Sequence, residues 1–192
     1  MNYNTENYVI QEGTASWEKH SNAKIMEAYS EHIFGDVLDV GCNTGGVTYW
    51  LHKNEKVKSI TGIDINPKVE SIFKKHMKDL PIKVEFVVCN YTEECLKDRQ
   101  FDTVISFHTL EHIFPVDAAK FASNLANNLK TGGKFVTSLP YGEAYKDDHH
   151  HAFYDEKKLV SLLEGVGLKC LECFDDKRWK ENFLLTGLFQ KI

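Results

Sequence analysis

Apolar residues along the 192-residue chain fall in short runs separated by polar or glycine-rich breaks, and the runs change period as the chain proceeds. "DVLDV" (Asp36 to Val40), "SITGIDI" (Ser59 to Ile65), "KVEFVV" (Lys83 to Val88), "DTVISF" (Asp102 to Phe107) and "KFVTSL" (Lys134 to Leu139) are brief and rich in β-branched residues. Such runs predict strands covered on both faces. Between them the spacing becomes helical. Val69, Ile72, Phe73, His76, Met77 and Leu80 form one stripe, behind Asn66 as cap and Pro67 at the first position. Ala118, Phe121, Ala122, Leu125 and Leu129 predict a helix over about 115–129, stopped by Gly132 and Gly133. Leu159, Leu162, Leu163 and Val166 follow Asp155 as cap. Ser16 opens a first helix over about 16–33, with Ile25, Ala28 and Tyr29 on one face, and a short helix over about 45–52 follows the first strand. Two late strands, about 168–174 and 183–190, have no helix between them and must pair antiparallel.

This alternation predicts one α/β domain over 1–192, with a parallel sheet between helical layers. Residues 1–35 are expected to form an N-terminal helical lid and 36–192 the core. Ligands of such sheets sit beyond the carboxyl ends of the strands.

Hydrophobic content of 42% and charged content of 27% are those of an ordinary soluble protein. A net charge of −5 gives no general attraction to nucleic acid or anionic membrane. "KNEKVK" (Lys53 to Lys58) reads as a solvated loop. No run is long and apolar enough to span a bilayer, and the polar start "MNYNTENYVIQEG" carries no signal segment. The five cysteines show no framework spacing, so a reduced, cytoplasmic protein is expected. "CLEC" (Cys170 to Cys173) has half a zinc pattern, but positions i and i+3 of a strand face opposite ways.

After "VLDV" the loop offers Gly41, Gly45 and Gly46, glycines that let backbone approach a ligand closely. Asp64 ends the second strand 23 residues beyond Gly41, a spacing suited to gripping a ribose diol. Two features separate an adenosyl ligand from a dinucleotide. The middle glycine of the pyrophosphate fingerprint is Asn43, and Asp39 stands just before the loop. A carboxylate there suits a ligand bearing an ammonium and a sulfonium and no phosphate. Plainer roles stay open: Asp39 can merely order the loop, and Asp64 can cap the helix at "NP".

"VLDVGCNTGG", "TGIDINP", "VVCNYTEE", "FDTVISFHTLEHI" and "LKTGGKFVTSLP", in that order, resemble the class I S-adenosylmethionine-dependent methyltransferases of the small-molecule type. The resemblance implies a Rossmann-like seven-stranded sheet of order 3-2-1-4-5-7-6, with strand 7 antiparallel and helices on both faces. It implies S-adenosylmethionine as cofactor. Asp39, Gly41, Asn43 and Gly45 would surround its methionine end, and Asp64 would take the ribose. Ile65, the Asn90 side-chain oxygen and the Tyr91 backbone N–H would meet the adenine, with Phe107 completing the set. Departures from the family pattern are Asn43 for glycine, Asn90 for aspartate and Thr131 for proline.

Methyl transfer needs an aligned nucleophile, and a hydroxyl nucleophile must also lose a proton. "FHTLEHI" supplies His108, Glu111 and His112, and "DDHHH" supplies Asp147, Asp148, His149, His150 and His151. The Asn/Asp-Pro-Pro-Tyr/Phe motif is absent, which speaks against amino methylation of DNA bases. The expected chemistry is methylation of a small-molecule acceptor, at oxygen rather than nitrogen, with His112 or His150 as base and Glu111 orienting His112. In the ubiquinone-pathway O-methyltransferases and in those of small-RNA 3′ ends, which "LEH" resembles, a similar E-x-x-E-H holds metal. A divalent ion on His108, Glu111, His112 and His150 is thus the alternative, and with it a metal-assisted 2′-O-methyltransferase of RNA ends, against which the acidic balance counts; the histidine at position 108 makes the metal pattern imperfect. A pocket wall for Glu111 and His112, and a solvated loop for the histidine run, also stay open, as does a catalytically silent partner subunit. Tyr3, Tyr8, Trp17, Tyr141 and Tyr145 are expected to cover the acceptor.

Overall fold

The computed structural model describes residues 21–94, 96–143, 148–177 and 183–192. Ser16, Tyr3, Tyr8, Trp17, Tyr145 and Asp147 lie outside them. The seven strands are β1 (Gly35–Val40), β2 (Val57–Asp64), β3 (Lys83–Val88), β4 (Phe101–Phe107), β5 (Leu129–Pro140), β6 (Leu168–Asp176) and β7 (Leu184–Lys191). They form one sheet of order β3-β2-β1-β4-β5-β7-β6. β1 to β5 pair in parallel, and β7 lies antiparallel to both β5 and β6. The order implied by the resemblance is the order observed.

The described helices are α1 (Ser21–Ala28), α2 (Gly46–Leu51), α3 (Glu70–Met77), α4 (Ala118–Asn128) and α5 (Glu156–Glu164). Side chains alternate along β1, so the sheet feeds two cores. Leu38 and Val40 join the cluster built with α4 and α5, whereas Val37 joins Ile25 and Met26 of α1, Tyr29 just beyond it and Leu51 of α2. Asp39 shares parity with Val37, which turns it to the α1 face. Asn66 and Asp155 accept from the backbone N–H of Lys68 and Lys158, as cap positions require.

Three elements depart from expectation. The first helix ends at Ala28 and gives way to a 3-10 turn at Ser30–His32. α4 ends at Asn128 rather than at the glycines, and Leu129 already belongs to β5. Asn128 holds that end from outside: its Nδ2 donates to the carbonyls of Leu96 and Arg99, each at 2.7 Å. Gly132, at φ +81°, and Gly133 lie within β5, where its register against β4 shifts. A Cβ at Gly133 would stand 2.8 Å from the Lys130 carbonyl, so the kink needs glycine. In β6 the register shifts between Cys170 and Glu172, and both Cys170 and Cys173 pack against the α4/α5 core. The extra residue overrides the parity argument that set these thiols on opposite faces. Cys89 is disulfide-bonded, contrary to the expectation of a fully reduced chain.

Candidate active site

The loop after β1 owes its shape to three left-handed residues: Gly41 at φ +78°, Asn43 at +48° and Gly45 at +95°. Asparagine tolerates that region, which explains how it replaces a glycine here. Gly41 also has no room for a side chain, since a Cβ would lie 2.1 Å from Thr109 Oγ1. Thr109 in turn donates to the Val40 carbonyl at 3.1 Å, binding the loop's start to the segment after β4. His76, expected on the apolar stripe of α3, instead sets Nδ1 2.9 Å from the Thr44 carbonyl and ties α3 to this loop.

Asp64 is 4% exposed and accepts the N–H groups of Asn43 and Asn66, both at 2.9 Å. Burial raises its pKa, opposed by the N–H groups of Asn66, Asn43 and Ile65. Asp64 therefore locks the glycine loop to the end of β2, while Asn66 itself does the capping. Asp39 is 2% exposed and accepts from Thr48 Oγ1 at 2.6 Å. Burial lifts its pKa to about 7, against the Thr48 hydrogen bond and with help from the charge of Asp64. Two neighbouring buried acids are unfavourable alone and become favourable beside a cationic ligand. That donor set fits the ammonium and sulfonium of S-adenosylmethionine.

The adenine side fits less directly. Asn90 Oδ1 already accepts from the Thr92 N–H at 3.2 Å and the Thr92 hydroxyl at 2.9 Å. Its side chain shapes the turn, which leaves the Tyr91 N–H and Ile65 as the expected adenine contacts. The Tyr91 ring is buried, with its hydroxyl donating to Asn128 Oδ1 at 2.7 Å. Phe107, 6% exposed, packs in the α1/α2 core at the end of β4.

Beyond β4 the chain makes a 3-10 turn at Leu110–His112. The later histidine loop docks on it. The N–H groups of His151 and Ala152 donate to the Glu111 carbonyl at 2.8 and 3.1 Å. His112 Nδ1 lies 2.9 Å from the His149 carbonyl, a contact in which that nitrogen donates and which fixes the ring's orientation. The rings of His112 and His150 meet edge to face at 4.9 Å. Ligand atoms of Glu111, His112 and His150 lie within 4.8 Å of one another. Glu111 is 2% exposed, and both its carboxylate oxygens are buried without a hydrogen-bond partner.

The structure therefore brings together three of the four expected residues. His108 stays outside that group. Its Nε2 points to Asn22 Oδ1 of α1 at 3.2 Å, and its Nδ1 lies 3.5 Å from Glu111 Oε1. Asp148 is exposed, and His151 stacks on Phe114 at 4.1 Å. Thr48, Thr109 and Asn22 were not singled out from the sequence; only the fold brings them to their partners.

The family described as "Methyltransferase domain" matches residues 37–133. Phosphoethanolamine N-methyltransferase 3 of Arabidopsis thaliana is 35% identical over 142 residues, 69% of this chain and 28% of that protein. The chloroplastic tocopherol O-methyltransferase of the same plant is 25% identical over 185 residues, 83% of this chain and half of its own length. The chain thus spans well under two thirds of these curated relatives. Among solved structures, an S-adenosylmethionine-dependent methyltransferase from Clostridium acetobutylicum superposes with a TM-score of 0.75 at 18% identity, covering 91% of this chain and 92% of that one. The N-methyltransferase NodS of Bradyrhizobium japonicum, with S-adenosyl-l-homocysteine bound, gives 0.74 at 16% identity, covering 91% and 87%. These two likenesses concern the fold. With the glycine loop, its paired acids and the family match over half its length, the chain belongs to the class I S-adenosylmethionine-dependent methyltransferases.

Proposed function

We propose that the protein transfers a methyl group from S-adenosylmethionine to a hydroxyl of a small molecule. The observation that carries this reading is the cluster of His112, His150 and Glu111, whose ligand atoms lie within 4.8 Å of one another, with His112 oriented by the His149 carbonyl. S-adenosylmethionine, when bound, supplies an activated methyl group. The chain's part is to align the acceptor, exclude water and remove the acceptor's proton. A neutral imidazole suits the last task near pH 7, and a buried carboxylate beside it favours the imidazolium that results.

One observation favours a second version of the same chemistry. A buried carboxylate with two unsatisfied oxygens is costly, and a cation removes that cost. Glu111, His112 and His150 offer one oxygen and two nitrogens, a set suited to a borderline divalent ion. Held there, such an ion would acidify the acceptor hydroxyl, with His108 contributing from the edge at most.

Relatives of known name methylate both nitrogen and oxygen, among them phosphoethanolamine N-methyltransferase 3 and tocopherol O-methyltransferase. The test is turnover with labelled cofactor against matched amine and hydroxyl acceptors. His112→Ala and His150→Ala are then compared with and without EDTA. The imidazole version expects each substitution to lower kcat by roughly 10²–10⁴ and chelator to do nothing. Loss in EDTA that added Zn²⁺ or Mn²⁺ restores would select the metal version. Exclusive turnover of amines, or unchanged kcat in both variants, would sink the hydroxyl reading.

A further inference from the structure

His108 has a backbone that asks for an explanation. Among the described residues only it and Asn43 are non-glycine residues in the left-handed region, and His108 sits at φ +53°. Such backbone is held where the surroundings demand it. Here the His108 N–H donates to the Ser138 carbonyl at 2.8 Å, extending the β4–β5 pairing by one residue. The chain then turns sharply, and the ring is thrown toward α1 instead of toward the His112–His150 pair.

There it stands between two groups on different elements. On one side is Asn22, in the first turn of α1, 3.2 Å from Nε2. On the other is Glu111, the buried acid of the candidate centre, 3.5 Å from Nδ1. Ile25 and Met26 of α1 share a buried cluster with Phe107, the last residue of β4, and Tyr29, just past the helix, joins it while donating its hydroxyl to Glu172 Oε2 at 3.3 Å. The N-terminal end of α1 thus lies over the carboxyl end of β4.

We propose that His108 is a positioning residue: a strut between α1 and Glu111 that couples the seating of this helix to the geometry of the acid. Apolar packing is non-directional, whereas the imidazole adds a directional tie at the N-terminal end of the helix and fixes its height over the site. By reciprocity, whatever occupies the space beside Glu111 then steadies α1. The catalytic consequence rests on the proposed role of Glu111; the strut does not, and the two are measured separately.

His108→Gly removes the ring and keeps the left-handed backbone without strain, which isolates the ring from the turn. Asn22→Ala cuts the tie at its other end. Loss of one hydrogen bond worth about 1 kcal/mol should speed amide exchange in α1, read at Tyr29, by about five-fold. The Tyr29 N–H donates to the Ile25 carbonyl at 3.0 Å, so it reports on this helix. The double variant should exchange no faster than either single one, because both cut the same strut. His108→Asn, which tolerates the backbone and retains polar atoms, should recover part of the protection. Unchanged exchange in His108→Gly, or additive effects in the double variant, would overturn the strut. Faster exchange with unaltered turnover would keep the strut and remove Glu111 from acceptor activation.

Discussion

Asp39 is pulled two ways. It is buried, it holds Thr48 in the first turn of α2, and burial raises its carboxyl from 3.8 to about 7. The folded chain binds that proton more tightly than the unfolded one. The group's contribution to stability is therefore fully present below about pH 4 and is lost as pH rises through 7, a loss of at most about 4 kcal/mol at about 1.4 kcal/mol per unit. A cationic ligand reverses the sign, because it needs the ionised form. Affinity for S-adenosylmethionine should thus rise by up to about tenfold per pH unit between roughly pH 5 and 7, then level off. Asp39→Asn should melt higher than wild type when unliganded at pH 7.5, yet bind the cofactor weakly and without pH dependence. Calorimetry across pH, beside thermal melts, reads both. A flat profile in the wild type would confine Asp39 to ordering Thr48. The place of this acid at the loop was legible because a charge beside a glycine loop is conspicuous in a string of letters. Thr48 was not, since a threonine in a helix carries no mark of what faces it nine residues back.

At the level of elements, the hydrophobic period located the strands well and the ends of the helices poorly. β1, β4 and the end of β5 read clearly because burial on both faces leaves unbroken apolar runs. Two failures share one cause. Asn128 ends α4 by reaching Leu96 and Arg99, and the β6 irregularity turns Cys170 and Cys173 to one core; both are set by distant neighbours. The same dependence links the glycine loop to the turn after β4. Gly41→Ala would place a Cβ 2.1 Å from Thr109 Oγ1 at φ +78°. Left-handed strain and overpacking together should cost about 2–4 kcal/mol. Adding Thr109→Ala should return roughly the overpacking part and leave the strain. Denaturant melts of the two single variants and the double one separate these shares. If Thr109→Ala rescues nothing, the loop and the turn are not in mechanical contact.

Across the whole molecule, function follows from which strands are neighbours. β1 lies between β2 and β4, so the loop after β1, Asp64 at the end of β2 and the turn after β4 converge on one edge. β5 lies beside β4, and the chain that follows it reaches the Leu110–His112 turn through the His151 and Ala152 amides. The glycine loop with its paired acids and the proposed proton acceptor thus lie along one edge of the sheet. Alternating strands and helices pointed to that edge, but the crossing order came only through the resemblance, because many orders share one alternation. His108 shows the same limit: spacing put it near Glu111, where Nδ1 lies 3.5 Å from Oε1, but nothing in the string of letters marked the left-handed turn that aims Nε2 at α1. If this edge is built for an adenosyl cation, ligands should stabilise the fold selectively. S-adenosylmethionine or S-adenosylhomocysteine at about 100 times Kd should add about 2.7 kcal/mol, a rise in Tm of roughly 5–10 °C for a domain of this size. NAD at the same concentration should add nothing, because Asn43 breaks the pyrophosphate loop and Asp39 repels phosphate. Differential scanning fluorimetry with all three ligands decides the matter. An equal rise with NAD would mean that the paired acids do not select for positive charge, and the reading of Asp39 would fall with it.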